Sequence, residues 1–296
     1  MKIVLSRKGF DSGYGGIPSP VLPGIGPVSL PIPSKAGESA SSYIAADVSL
    51  GDLITQLSEG KLGEGTLVHF DPDLDQAGRR RRKGWRPAFG QVGSAQSHLA
   101  NQGVGISDLF LFFGWFRPAE RYQNRWRYVP GAATFHALFG WLQVGAIVDM
   151  PSHDAGHVPG WLADHPHVAH AARFAGQSNT IYVGADRLHL GGDCGGDSGG
   201  RFNQWSDALR LSADGGNRSV WDVPTWLDPG QGRTPLSYHG RPDRWSRRDG
   251  RLYLQTVSKG QEFVLDCRDY PEAIQWVGEL IQRHGLRVHE GGVRHS

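Results

Sequence analysis

LFLFFGWF at 109–116 and FHALFGWLQVGAIV at 135–148 are the two stretches whose reading decides the fold. The first opens after Ser107-Asp108 and is dominated by aromatic and aliphatic residues. It is far too short to cross a bilayer and reads as a buried strand. The second follows Pro130-Gly131 and reads as its returning partner, with Arg125–Tyr128 as a strand between them. Strand, short loop and strand in succession point to an antiparallel meander or barrel.

Outward from this pair, Met1–Ser6, Thr66–Phe70, Thr180–Gly184, Ala208–Ser212, Leu252–Val257 and Glu262–Leu265 are further strand candidates. Helical spacing of apolar residues marks Val48–Ser58, with Ser49 as N-cap, and Pro271–Gln282, with Asp269 as cap candidate. Ser94–Gln102 reads as a short helix, and Ile17–Ile32, rich in Pro and Gly, as extended coil or edge structure. The expected class is α/β of the α+β type: β-rich, a mainly antiparallel barrel-like or mixed sheet with a few flanking helices. Residues 1–296 are read as one domain with a mobile His/Gly-rich insertion around 149–200 and a mobile tail from Arg283. The basic run Arg79–Lys83 is assigned to an exposed loop.

Lys plus Arg total 31 and Asp plus Glu 29, a net charge of +2. That balance argues against binding long duplexes mainly by charge and favours a nucleotide, a nucleoside or a short nucleic-acid segment as partner. The two cysteines, Cys194 and Cys267, form neither a disulfide framework nor a thiolate zinc site, so no disulfide-linked partner is expected. No secretory leader or membrane span is read, and the expected location is the cytoplasm.

Several segments in order resemble the bacterial and phage family called nucleotide modification associated domain 3. They include IVLSRKGFDSGYGG (3–16), HFDPDL (69–74), AFGQVGSAQSHL (88–99), the two strands above, HPH (165–167), NTIYV (179–183), LSYH (236–239) and KGQEFV (259–264). The resemblance implies modification of bases or nucleotides and names no reaction. The GGDCGGDSGG segment (191–200) and the RRRRK run depart from the family pattern.

His69 and Asp71 stand at i and i+2 on a strand and so share a face. Two His and one carboxylate bind non-haem iron and leave positions open for a co-substrate and oxygen. The third ligand is to be found among distant histidines: His98, His136 or His239, with His239 taken first and His167 as the alternative. Fe(II) with 2-oxoglutarate is the expected cofactor pair. His69, Asp71 and His98 are the catalytic candidates, His98 titrating near neutral pH. For substrate binding, Arg7, Lys8 and Asp11 beside a Gly-rich turn suit a phosphate. Gln96 suits a base edge, Trp115 a stacking platform, and Lys259, Gln261 and Glu262 a second polar contact. GDSGG at 196–200 matches a serine-protease nucleophile loop, but no suitable upstream His accompanies Ser198. The function read is a nucleotide- or base-modifying enzyme, in its sharpest form a non-haem iron oxygenase. A non-catalytic PUA-like modified-base reader and a metal-free transferase or hydrolase are the alternatives.

Overall fold

The computed structural model describes residues 1–285 except 46, 151–157, 193–194, 231 and 259. Lys259, His153, His157, Cys194 and the tail beyond 285 therefore lie outside the described residues. In chain order the main strands are β1 (Lys2–Arg7), β2 (Ser19–Leu22), β3 (Leu67–His69), β4 (Ala88–Val92), β5 (Leu109–Tyr122), β6 (Arg125–Tyr128) and β7 (Phe135–Asp149). They continue as β8 (Asn179–Gly184), β9 (Gly199–Arg201), β10 (Val220–Val223), β11 (Trp245–Arg248), β12 (Arg251–Gln255) and β13 (Glu262–Asp266). The helices are α1 (Leu50–Leu57), α2 (Gly93–Asn101), α3 (Pro166–Ala169) and α4 (Glu272–His284).

The central sheet runs β13-β1-β5-β7-β8-β4. The β1–β5 pair is parallel and the other neighbours on this path are antiparallel, so the sheet is mixed. Alternation along the apolar strands feeds two cores. Ile3, Leu5, Leu109, Leu111 and Phe113 face one way, toward α4 and the small sheet β10-β12-β11. Val4, Phe110 and Phe112 face the other way, with Phe89, Leu99 and Tyr182. The unbroken apolar runs are thus strands buried on both faces.

No closed barrel forms among the described residues, yet the sheet curls until its two edge strands meet through side chains. Glu262 of β13, 1% exposed, accepts from Lys8 Nζ at 2.8 Å and from the Gln91 amide of β4. Lys8 Nζ also lies 4.7 Å from the centre of the Phe89 ring. Helix α2 follows β4 directly and brings Gln96 to accept from the Tyr182 hydroxyl at 3.0 Å. The second carboxylate oxygen of Glu262 and the Ser6 hydroxyl are buried there without a partner.

Some expected elements differ. Ala208–Ser212 is not a strand: Asp207–Leu209 form a 3-10 turn capped by Ser206, and only single bridges at Arg210 and Ser212 follow. Asp269 does not cap α4, because its carboxylate accepts from the backbone N–H of Thr234. Ser49 does cap α1, accepting from Asp52 N at 3.3 Å. The basic run is in a loop with Arg80, Arg82 and Lys83 exposed, as expected, but three of its arginines are tied to acids. Arg81 is clamped by Asp73, Arg79 reaches Glu38 and Asp73, and Arg82 pairs with Asp164. Three acids from different segments pair with three of its five cations.

Removing the ammonium from the buried Lys8–Glu262 pair strands a carboxylate, which costs about 3–5 kcal/mol. Lys8→Met is expected to lose that much in urea unfolding, and Lys8→Met/Glu262→Leu to recover a large part. A Lys8→Met midpoint equal to wild type would contradict the role given to the pair. Acid sensitivity is a second expectation. Burial pushes His136 down to about 3 and His239 down to about 4. Both folded values lie below the ordinary value of about 6.5, so below that pH the unfolded chain binds more protons. Their contribution is complete above pH ~6.5 and is lost as pH falls, at about 1.4 kcal/mol per pH unit for each group. Urea unfolding between neutral and mildly acid pH measures it. A pH-independent midpoint across that window would rule out both neutral imidazoles.

Candidate metal centre

β4 presents different chemistry on its two faces. Phe89 and Gln91 point to the concave side, and Ala88 and Gly90 to the convex side, where Ala88 packs with Ile181, Val183 and Leu162. The chain that leaves β3 runs along the free edge of β4, with Asp73 bridged to Ala88. Asp71 Oδ1 accepts from the edge N–H of Gly90 at 2.9 Å. This bond anchors one carboxylate oxygen and leaves the other, Oδ2, directed at two imidazoles.

His69 Nε2 lies 3.8 Å and His167 Nε2 3.4 Å from Asp71 Oδ2. The ligand atoms of His69, Asp71 and His167 all lie within 4.8 Å of one another. Metal–ligand bonds of about 2.0–2.2 Å place the donor atoms of one ion roughly 3–3.5 Å apart. The His167–Asp71 distance matches that spacing, while the separations that reach 3.8 and 4.8 Å are wider, so the three donors would draw together around one ion.

The tautomers agree with that arrangement. The Asn179 amide donates through Nδ2 to the His167 carbonyl at 3.2 Å, which turns its Oδ1 toward His167 Nδ1 at 2.7 Å. His167 therefore carries its proton on Nδ1 and offers the Nε2 lone pair to the centre, with Asn179 as the orienting outer group. His165 stands on the other side of the carboxylate, its Nε2 3.4 Å from Asp71 Oδ1. It caps α3, its Nδ1 accepting from His167 N at 3.3 Å. That use of Nδ1 puts the His165 proton on Nε2, which faces the carboxylate but is buried without a hydrogen-bond partner, so His165 is an N–H neighbour of the cluster and not a ligand. Pro166 follows it at the first helical position, where a missing N–H costs nothing.

Gly90 is required by contact. A Cβ at this position would stand 2.3–2.6 Å from atoms of the His167 ring. Phe174 stacks on the other side of that ring, with centroids 4.8 Å apart. The His69 side chain is 21% exposed, whereas those of Asp71, His165 and His167 are 4%, 2% and 3%. Access is therefore from the His69 side. Burial pushes the Asp71 carboxyl up, but the imidazoles of His165, His167 and His69 outweigh it and hold it well below the usual range. Burial lowers His69, favouring the neutral ring that a metal needs.

The expected site residues separate into distinct groups. His69, Asp71 and His167 come together. His239, expected as the third ligand, does not join them: it is fully buried, donating to the Ser237 carbonyl at 2.8 Å and accepting from Val257 N at 3.3 Å. His136 accepts the Trp221 indole N–H at 3.1 Å. His98 also stands apart from the cluster, bonded to Ser237 at 3.1 Å and lying over Tyr238 with ring centres 4.3 Å apart. Lys8, Gln96 and Glu262 belong to the concave seam. Asp11 caps its own turn through Gly13 N and Tyr14 N. Arg7 is partly buried, its pKa lowered by that burial, and Gln261 is exposed. Trp115 carries the Arg218 guanidinium 4.5 Å from its ring centre, so that face is covered. Ser198 is buried and donates to the Ala185 carbonyl, which is no setting for a nucleophile.

A larger cavity, about 480 Å³, lies elsewhere over β1, beside Trp221, Trp226 and Trp276. Its rim charges include the ion pairs Arg210–Asp214 and Arg251–Asp222. The metal-type cluster of the described residues is not part of it.

The family model described as nucleotide modification associated domain 3 matches residues 2–266, ending with β13. No curated protein and no solved structure matches the chain.

Gly90→Ala tests the seat of His167. Its backbone is not in the left-handed region, so the added methyl acts through overpacking alone, and a destabilisation of about 1–3 kcal/mol is expected. An unchanged unfolding midpoint would show that the ring does not rest on β4.

Proposed function

The chain belongs to the nucleotide modification associated domain 3 family, and from that premise we propose that it is a metal-dependent enzyme modifying a nucleotide or nucleic-acid base. The observation that carries this reading is the convergence of His69 Nε2 and His167 Nε2 on the free oxygen of Asp71.

The donor set is two imidazoles and one carboxylate, the pattern that suits Fe(II) and leaves positions open. Iron would be held by His69, Asp71 and His167 and would supply oxygen chemistry there: C–H to C–OH, with O2 as oxidant and 2-oxoglutarate giving two electrons as it becomes succinate and carbon dioxide. The chain's own residues do the rest. Asn179 and Gly90 fix the His167 ring. The Gly90 N–H donates to Asp71 Oδ1, with the His165 ring beside that oxygen, and this leaves Oδ2 toward the two imidazoles. Phe174 and the buried side of the cluster exclude water from all but the His69 side. Lys8 and Glu262, expected from the sequence to touch substrate, instead hold β4 in place together with Gln91 in this reading.

The test is metal content after purification without a histidine tag, and again after anaerobic loading with Fe(II). About one ion per chain is expected in wild type and in His98→Ala, with loss in Asp71→Asn and His167→Ala. Asn179→Ala is expected to weaken the affinity by about 10–100-fold, as outer-shell changes do. Turnover of nucleotides or DNA with O2 and 2-oxoglutarate then tests the chemistry. Wild type that takes up no divalent metal would remove the mechanism and leave a metal-free enzyme or a base reader.

A further inference from the structure

The far end of β5 and the strand β6 form a hairpin that the metal centre does not use. Residues 117–128, RPAERYQNRWRY, hold four arginines and one glutamate, a net +3 in a chain whose total is +2. Gln123 and Asn124 turn the chain with φ of 48° and 63°, the left-handed pair of a tight hairpin turn. Arg121, Tyr122, Arg125 and Arg127 are exposed. Arg127 pairs with Glu120 at 2.8 Å, while Arg121 and Arg125 have no carboxylate partner among the described residues. β2 pairs with β5 only as far as Pro118, so beyond that point the ribbon is two-stranded.

We propose that this hairpin docks a short segment of B-form DNA duplex, which makes the polymer, and not the free nucleotide, the substrate class. The proposal deepens the metal-dependent reading above and rests on it for the chemistry that follows docking. Three observations favour this partner. The ribbon spans four residue pairs and is two strands wide, about 5 Å between strands, and a major groove about 12 Å wide admits such a ribbon. The major groove of A-form RNA is too deep and narrow for side chains to read. One face of each of the Tyr122, Trp126 and Tyr128 rings carries a guanidinium, of Arg127, Arg121 and Arg117 at 3.7, 5.4 and 5.1 Å, and Tyr122 is otherwise exposed. Single strands need open aromatic faces to stack on. Here the rings instead hold the guanidinium planes in place, and an oriented guanidinium binds phosphate with two parallel N–H groups.

The placement is consistent with delivery. Trp126, Tyr128 and Ala119 pack in the same small core as Val68 and Phe70, which flank His69. Trp126 N also donates to Gln56 of α1 at 2.6 Å, which ties the ribbon to that core. The near-neutral total charge argues against long duplexes, but a few phosphates gathered by one ribbon do not require a large excess.

Fluorescence anisotropy of a short labelled DNA duplex over a range of salt tests this on the full chain. Arg121→Ser/Arg125→Ser is expected to weaken binding at least ~10-fold and to lower the log–log salt slope by about 2, one for each phosphate that is no longer neutralised. Arg121→Lys/Arg125→Lys keeps the charge and is expected to keep the slope. His167→Ala is expected to lose its metal and bind DNA as wild type does. Equal affinity in wild type and the serine variant, or tighter binding of single strands or of an RNA duplex, overturns the proposal. Normal docking with full activity in His167→Ala would overturn the metal reading alone.

Discussion

A carboxylate buried where the sheet's two edges meet is the constraint on which the rest of the molecule depends. Glu262 begins the edge strand β13 and binds Lys8, from the end of β1, and Gln91, from the opposite edge strand β4. No backbone ladder joins these edges among the described residues, so side chains close the curl. A buried charge of this kind is costly unless its partners are all in place. It therefore specifies one curvature of the sheet and rejects flatter ones. Helix α2, following β4 without a linker, fills the gap and carries Leu99 into the same core.

That closure fixes the strand on which the candidate metal centre is built. Gln91 faces the seam, and its neighbour Gly90 gives its N–H to Asp71 and its missing side chain to the His167 ring. The seam and the candidate metal centre are thus served by adjacent residues on opposite faces of one strand. The division of labour among the histidines follows from their partners: Asn179 frees Nε2 of His167, and the helix start at α3 occupies Nδ1 of His165. Three imidazoles around one carboxylate are not equivalent, and the hydrogen bonds at Nδ1 separate His167, a candidate ligand, from His165.

Much of this architecture is legible in the sequence. The apolar runs at 109–116 and 135–148 are the central pair, because long strands buried on both faces need unbroken apolar sequence. The i, i+2 spacing of His69 and Asp71 places both on one side of a strand end. Strand β4 is not legible: five residues interrupted by Gly90 and preceded by Pro87 carry little β signal. A glycine inside an apolar strand does mark close approach of another group, and here that group is His167. The contacts of Asn179 with His167 and of His165 with Asp71 cannot be found by reading along the chain, since only the β8–β4 register and α3 bring them together. His239 misleads because distance along the chain carries no information on direction, and its ring is consumed by backbone groups.

The alternation along β4 has a consequence for how this chain can vary over evolutionary time. Strand neighbours point to opposite faces, so slipping β4 by one residue against β8 would bring a glycine to the seam and a glutamine under the imidazole. Both polar centres would fail at once. A two-residue slip would restore the faces but displace every group by roughly 7 Å along the strand, beyond the reach of the same partners. Single-residue insertions and deletions between Pro87 and α2 are thus closed to this lineage.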